Sequence, residues 1–372
     1  MIEAGATVSV IIPFPTDSYT SIRRAEAGSQ DGILYEYTSG LCKSKYKMFR
    51  ALSIYSGYRK AAGFLTSFIT LYKRNKRDRI DTIIVSSDGL RILLFYSIVS
   101  KLLGAKMVFI FDEYPIPIRH KLKNAIPFWK STMYRLILKN IDAYVSISDS
   151  LQRYFCGLCN KKSFILSSIT DTTRFPKIDD SSLSIDNYFC YMGNMELSKD
   201  NVDLIIRAYA GLSPDIQKRY KLYLYGVPSQ ANKQKIMSLI ESLSLDNSVL
   251  FKGSVAFDQV PSILKNAAVL LSSQPDTLRA QGGFPTKLGE YLLSGTPTLM
   301  TDVGENSKFV RGGSEVYFAK PNSIEDYTQK LEHIINNYCE ALRVASQGKR
   351  YVEESFSHTK QGARLLNFLQ SL

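Results

Sequence analysis

The sequence predicts an α/β fold of two domains, each built on a parallel sheet with crossover helices. Three observations carry this. Short β-rich apolar runs alternate with segments of helical periodicity from one end of the chain to the other. At 372 residues the chain is too long for one ordinary core and suits two of similar size. A polar stretch at 171–187 separates the two alternating series. An apolar fraction of 45% with only 13 prolines belongs to a globular chain, and no repeat or low-complexity tract is present.

In the first series, Val8 to Ile12 reads as a strand ended by Pro13, with a second candidate at 33–38. A long basic and aromatic segment of helical character follows at 45–72, then a buried-type strand at 82–86 and an apolar helix at 90–103. Strands at 106–111 and 143–148 continue the alternation with a helix at 129–139 between them. The second series places strands at 188–193, 221–225, 249–251, 268–271, 298–300 and 316–318. Helices are expected at 202–211, 229–243 and 259–266, with three more at the end of the chain. Strand, helix, strand at this spacing means parallel pairing.

Charge divides the chain. Residues 1–170 hold 25 lysines and arginines against 12 aspartates and glutamates, whereas residues 171–372 hold 22 of each. The entire excess of +13 lies in the first half. Nucleic acid, an anionic membrane surface and a phosphorylated acceptor are the partners such a half would meet; a merely solubilising surface is the plain alternative. No nucleic-acid-binding motif accompanies the charge, so nucleic acid is not expected. Arg119 to Lys139 mixes cations with Phe128, Trp129 and Tyr134, a composition suited to lying on an anionic bilayer.

No stretch approaches the ~20 apolar residues of a spanning helix; the best, Ile92 to Ser100, is bounded by Arg91 and Lys101. The first residues lack a secretory pattern, so a cytoplasmic location is expected, with contact at the inner face of the membrane left to the basic half. The five cysteines are an odd set and suggest reduced thiols. Cys156 and Cys159 form a lone C-x-x-C without a second pair, which fits buried thiols at a helix end better than zinc or redox work.

The densest chemistry lies in Gln281 to Pro297. Gly282 and Gly283 make a permissive turn, Pro285 suits a first helical position, and Gly295 with Pro297 ends the helix. The N–H groups of Thr286 and Lys287 would lie free at the positive end of that helix, with a hydroxyl and an ammonium beside them, as an anion site and most naturally a phosphate site. Glu290 falls on the same face one turn on, where a carboxylate suits the paired hydroxyls of a ribose. The competing reading of Lys287 and Glu290 is an ordinary surface ion pair.

Read as Gly-Phe-Pro-Thr-Lys-Leu-Gly-Glu-Tyr-Leu followed by Gly-Thr-Pro, this stretch resembles the donor-site helix of glycosyltransferase family 4, in particular a branch of bacterial polysaccharide enzymes. The resemblance implies the GT-B fold, two Rossmann-like parallel-sheet domains facing a central cleft. It also implies transfer of a sugar from a nucleotide-diphosphate sugar to a hydroxyl acceptor. An acceptor-side domain would span 1–170, a linker 171–187 and a donor domain 188–355, with a terminal helix at 356–372 returning toward the first domain. In the wider family two glutamates stand in this stretch, the second holding the ribose and the first contacting the donor sugar. Glu290 matches the second, whereas the first falls on Gly282 and is lost.

Further donor residues follow from the same resemblance. Gly193 and Lys199 match the phosphate loop, Asn194 replaces the family's arginine, and Arg279 and Lys287 could restore the missing charge. Gly253 and Ser254 resemble the turn at the base edge, and Gly283, Phe284 and Thr286 complete the expected donor set. Lys199 on its own also reads as a solvated loop lysine. Asp112 and Glu113 directly follow the strand at 106–111, at the carboxyl end where ligands bind in open sheets, and are candidate general bases; a solvated turn before Pro115 is the alternative.

No Asp-x-Asp, dinucleotide fingerprint or P-loop occurs, so neither a metal clamp nor a cofactor is expected. The segment Gly5-Ala6-Thr7-Val8-Ser9-Val10 resembles the family's second strand, which leaves open either a start upstream of Met1 or a missing central strand. The expected acceptor is a saccharide, in the likeness of the branch a lipid-linked one. Two rivals remain: a GT-B scaffold subunit without activity, favoured by Gly282 and Asn194, and a nucleotide-sugar epimerase of the same fold, which leaves the basic half unexplained.

Overall fold

The structure is a computed structural model that describes residues 1–14, 25–39, 53–87, 89–114, 128–175 and 187–372. The expected start of the first long helix, most of the linker, and Arg119 with its neighbours up to 127 lie outside them.

The first half carries two sheets. One is three-stranded in the order β1 (Ser9–Ile12), β3 (Ile33–Tyr37), β2 (Ala27–Gln30). β1 runs parallel to β3, but β2 pairs antiparallel with it. This hairpin departs from the all-parallel expectation. It turns at Asp31-Gly32, both at positive φ (50° and 79°), the two-residue turn that an Asp-Gly pair favours. The other sheet is wholly parallel: β4 (Thr82–Val85), β5 (Lys106–Phe111), β6 (Ala143–Ser146) and β7 (Lys162–Ile165), in that order. Its helices are α1 (Ser53–Arg77), α2 (Leu90–Leu103), α3 (Phe128–Asn140) and α4 (Asp149–Cys159). β7 was not anticipated, and α4 only through the helix end expected at Cys156 and Cys159. Cys159 is buried at the end of α4, while Cys156 is exposed, against the expectation that both thiols would be covered.

The second half holds one six-stranded parallel sheet, ordered β10 (Val249–Gly253), β9 (Lys221–Tyr225), β8 (Tyr188–Met192), β11 (Val269–Ser272), β12 (Thr298–Thr301), β13 (Tyr317–Ala319). Its central strands β8, β11 and β12 are covered on both faces, which is why they read as continuous apolar runs: Phe189, Cys190 and Tyr191 are all fully buried, as are Val269, Leu270 and Leu271. The helices are α5 (Leu197–Asp200), α6 (Val202–Ala210), α7 (Pro214–Arg219), α8 (Gln230–Ser242), α9 (Val260–Asn266), α10 (Leu278–Gly282), α11 (Lys287–Leu293), α12 (Asn306–Phe309), α13 (Ile324–Asn336), α14 (Tyr338–Ser355) and α15 (His358–Gln370).

The two halves are joined where the chain crosses between them. The Thr170 N–H donates to the Phe356 carbonyl (2.8 Å) and the His358 N–H to the Thr170 carbonyl (3.0 Å). Val352 of α14 packs in the cluster that contains Leu288 and Leu292, whereas Leu365 and Leu369 of α15 pack on Val108, Ala143 and Val145 of β5 and β6. The terminal helix is thus part of the first domain's core. No helix among the described residues is long and apolar enough to cross a membrane.

Candidate active site

The carboxyl ends of β8, β9 and β10 meet at three glycines. The Gly193 N–H donates to the Tyr225 carbonyl (3.0 Å) and the Gly226 N–H to the Gly253 carbonyl (2.8 Å). A Cβ on Gly226, at φ 123°, would run into the Gly193 carbonyl, so the strands can close this tightly only without side chains. A Cβ on Gly193 would lie 2.6 Å from Tyr191 Oη and 2.7 Å from Lys287 Nζ. Lys287 therefore reaches this strand end because the residue there is glycine.

α11 is pinned in place by Tyr291, whose hydroxyl accepts from the Met192 N–H (2.8 Å), and Lys287 lies one turn earlier on the same face. Lys287 Nζ donates to Asp200 Oδ1 (3.0 Å) and sits 4.4 Å from the centre of the Tyr191 ring. Burial pushes the Lys287 ammonium below the ordinary lysine range, and Asp200 opposes that shift. Lys199 Nζ and Arg279 Nη2 approach Glu113 Oε1 from the other domain (3.7 and 3.4 Å), and Arg279 Nη1 also donates to Glu196 (3.3 Å). The buried Nε of Arg279 has no hydrogen-bond partner among the described residues. Lys287 thus lies beside Gly193 while Lys199 and Arg279 share Glu113, so each of the three cations faces a carboxylate.

Glu290 does not pair with Lys287. Its Oε1 accepts from Arg174, whose guanidinium also donates to the Phe257 carbonyl (3.0 Å) and lies 3.5 Å from the Phe257 ring centre. Arg174 thereby links the ribose candidate to the loop after Gly253 and Ser254, and burial lowers its pKa. α11 spans seven residues, starting at Lys287 rather than Pro285, so the expected helix-end anion site is shorter than the sequence suggested. Thr286 caps it without a side-chain hydrogen bond and is exposed. Phe284 is buried against Phe309 and Phe356, a packing residue rather than a free ligand surface. Gly283 is half-buried; Asn194 and Ser254 are exposed beside the cleft strands.

On the acceptor side Asp112 is exposed while Glu113 is held by the cations just named. Gly282, the position where the resemblance expects a glutamate, does not border empty space. A Cβ on Gly282 would fall inside the ring edge of Tyr114, the residue after Glu113, and the Gly282 carbonyl accepts from Ser148 Oγ (2.8 Å). Here a glycine is what lets the two domains touch.

Residues 177–351 match the family model described as Glycosyl transferases group 1. Among solved structures the chain is similar to HepE from Anabaena in complex with UDP, at 16% identity and TM-score 0.67, covering 83% of this chain and 82% of that one. It is also similar to the sucrose-phosphate synthase of Thermosynechococcus elongatus (13%, TM-score 0.72, 100% of this chain and 90% of that one). A glycosyltransferase from Rickettsia africae gives 14% and TM-score 0.68 over 91% and 85%. These likenesses show the GT-B fold. No curated protein sequence matches the chain.

Within the region that matches the model the geometry brings Gly193, Lys199, Arg279 and Lys287 together, with Glu113 from across the cleft, and sets Gly253 and Glu290 at the other end of the same strand edge. Three further residues escaped sequence reasoning. Asp200 was legible only as the neighbour of Lys199. Arg174 lay at the edge of a polar linker. Glu305, buried between the domains, accepts from the Asp149 N–H (2.8 Å) and Ser150 Oγ (2.5 Å) at the start of α4. Burial would raise its pKa, but these donors and Lys308 outweigh it and hold the carboxyl below the ordinary range. It clasps one domain to the helix end of the other.

Proposed function

We propose that the protein moves a sugar, of hexosyl type, from a nucleotide-diphosphate sugar to a hydroxyl of a saccharide acceptor, as in the family 4 branch it resembles. The observation that carries this is the convergence of Lys199, Arg279 and Lys287 at the carboxyl end of β8, with Glu290 along the same edge. The donor diphosphate would lie among the cations, taking the place of Glu113 as partner of Lys199 and Arg279. Glu290 would accept the ribose hydroxyls through Oε2, which has no partner among the described residues. Fixed cations stabilise the diphosphate as the bond to the sugar's anomeric carbon breaks, so transfer should proceed without metal. Glu113, released from its cations, would take the proton of the attacking hydroxyl, with Asp112 the alternative base.

UDP is the first nucleotide to test, since HepE was solved with UDP and with UDP-glucose. The basic first domain supports a lipid-linked saccharide presented at an anionic membrane face, in surface polysaccharide biosynthesis. The experiment is a transfer assay with a panel of UDP-sugars and lipid-linked saccharides in the presence of a chelator. Product formation that persists with chelator is expected. A scaffold without activity is the second reading, supported by Tyr114 occupying the space at Gly282. Nucleotide binding with neither transfer nor donor hydrolysis would favour that reading.

A further inference from the structure

The excess charge of the first half is concentrated in three helices. α1, α2 and α3 together contain eleven lysines and arginines and no aspartate or glutamate. α2 touches both of the others near their ends. Asn75 of α1 donates to the Leu103 carbonyl that closes α2 (3.2 Å), and Lys101 of α2 donates to Asn140 Oδ1 at the end of α3 (2.7 Å).

Each helix has two apolar faces. The inner faces fill the core: Leu93, Tyr96 and Val99 of α2 and Ile137 and Leu138 of α3 are buried there. The outer faces are apolar as well, which the domain's own packing does not require. On α1 the exposed residues Leu65, Ile69 and Tyr72 follow helical spacing, with Lys73 beside them and Lys76 Nζ 4.9 Å from the Tyr72 ring centre. On α2 the outward stripe is Leu94, Ile98 and Leu102, between Arg91 and Lys101; Leu102 is 68% exposed. On α3 it is Phe128, Trp129 and Leu136, with Arg135 and Lys139; Trp129 is 63% exposed.

Cations alone would suit nucleic acid or an acidic protein, and leucines alone a second protein. Aliphatic and aromatic stripes edged by lysine and arginine, with acidic side chains absent from all three helices, match a surface that is anionic outside and hydrocarbon just beneath. We propose that the outward faces of α1, α2 and α3 form a docking surface for an anionic lipid bilayer. The apolar stripes enter the headgroup–acyl boundary and the cations meet lipid phosphates. This surface includes two helices beyond the 119–139 segment singled out in the sequence. It deepens the membrane-side acceptor of the proposed function, and rests on that reading for its purpose.

Trp129 is the only tryptophan in the chain, so the unmodified full-length protein carries its own probe. Vesicles of mixed phosphatidylcholine and phosphatidylglycerol should shift its emission to the blue and carry the protein in flotation. Pure phosphatidylcholine vesicles should do neither, and added salt should reverse the binding. The triple variant Lys76→Glu, Lys101→Glu, Lys139→Glu should lower partitioning by about a hundredfold or more. A second variant, Leu65→Ser with Leu102→Ser, should lower it by about tenfold. UDP binding is measured on every sample. Absence of vesicle binding by protein that binds UDP overturns the inference. So does unchanged partitioning of the triple variant, or binding of RNA in place of vesicles. Vesicle binding without UDP binding would leave this surface standing and remove the donor assignment instead.

Discussion

At the proposed phosphate end and the proposed ribose end of the site each charged side chain faces an opposite charge, but by different arrangements. At the phosphate end Lys287 is held by Asp200, a buried carboxylate of its own domain, while Lys199 and Arg279 face Glu113 from across the cleft. At the ribose end the polarity is reversed, and the carboxylate Glu290 is held by the cation Arg174. In the proposed reaction Asp200, buried in the domain of Lys287, and Arg174, in the segment that leads into it, stay when the donor arrives and orient their neighbours. A partner on the opposite domain can leave when the cleft changes, so in the proposed reaction Glu113 would be the counter-ion that the diphosphate replaces. The pairs that look alike in a list of ion pairs therefore do different work.

Removing Lys287 should have the largest effect. If its charge acts mainly on the developing diphosphate, Lys287→Ala should lower kcat by about 100- to 1,000-fold with a much smaller change in UDP affinity, as steady-state kinetics and calorimetry would show. Equal losses in both would place its contribution in ground-state binding. Glu290→Ala should weaken UDP binding by about 10- to 100-fold, the worth of a charged hydrogen bond at about 1.5–3 kcal/mol. Arg174→Ala should weaken UDP binding by about tenfold through loss of Glu290 orientation. Tighter binding in that variant would instead make Arg174 a competitor of the ribose.

The domain contact can be tested separately from the chemistry. Glu305→Gln should cost about 1–3 kcal/mol at neutral pH, since the Asp149 N–H and Ser150 lose a charged acceptor. Because its folded pKa is depressed, the stabilisation from Glu305 is present above its unfolded value of about 4.5 and is lost as pH falls through the lower folded value. Thermal melts of the parent and Glu305→Gln should therefore converge once the pH has fallen below the depressed folded value. The smallest effect is expected for Gly282→Ala, about 1–2 kcal/mol of strain against Tyr114 that the additional substitution Tyr114→Ala should relieve.

Much of this fold was legible because the central strands of the second half are buried on both faces and appear as uninterrupted apolar runs; Lys221–Tyr225 and, in the first half, Lys106–Phe111 agree with the structure to the residue, as does the helix expected at about 90–103. The hairpin β2–β3 was missed although Asp31-Gly32 signals it, because Ala27–Gln30 is exposed throughout and has no apolar alternation to register. In the site, Lys287 and Glu290 were visible as residue types in a spacing, and Lys199 and Arg279 only through the family resemblance. Their counter-ions were not. Asp200, Arg174 and Glu305 act through contacts with residues 87, 116 and 156 positions away, which no local pattern encodes. Gly282 is the reverse case: the sequence presents a lost carboxylate, and only the packing of Tyr114 gives the glycine a role.

The central claim is that the second domain binds a nucleotide diphosphate with Glu290 on its ribose. Calorimetric titration of UDP into the metal-free protein and into Glu290→Ala tests it directly. Saturable binding by the parent, lost or weakened at least about tenfold in the variant, is the expected result. No binding by a folded parent to UDP or to any other nucleoside diphosphate, or equal binding by both proteins, would contradict the assignment.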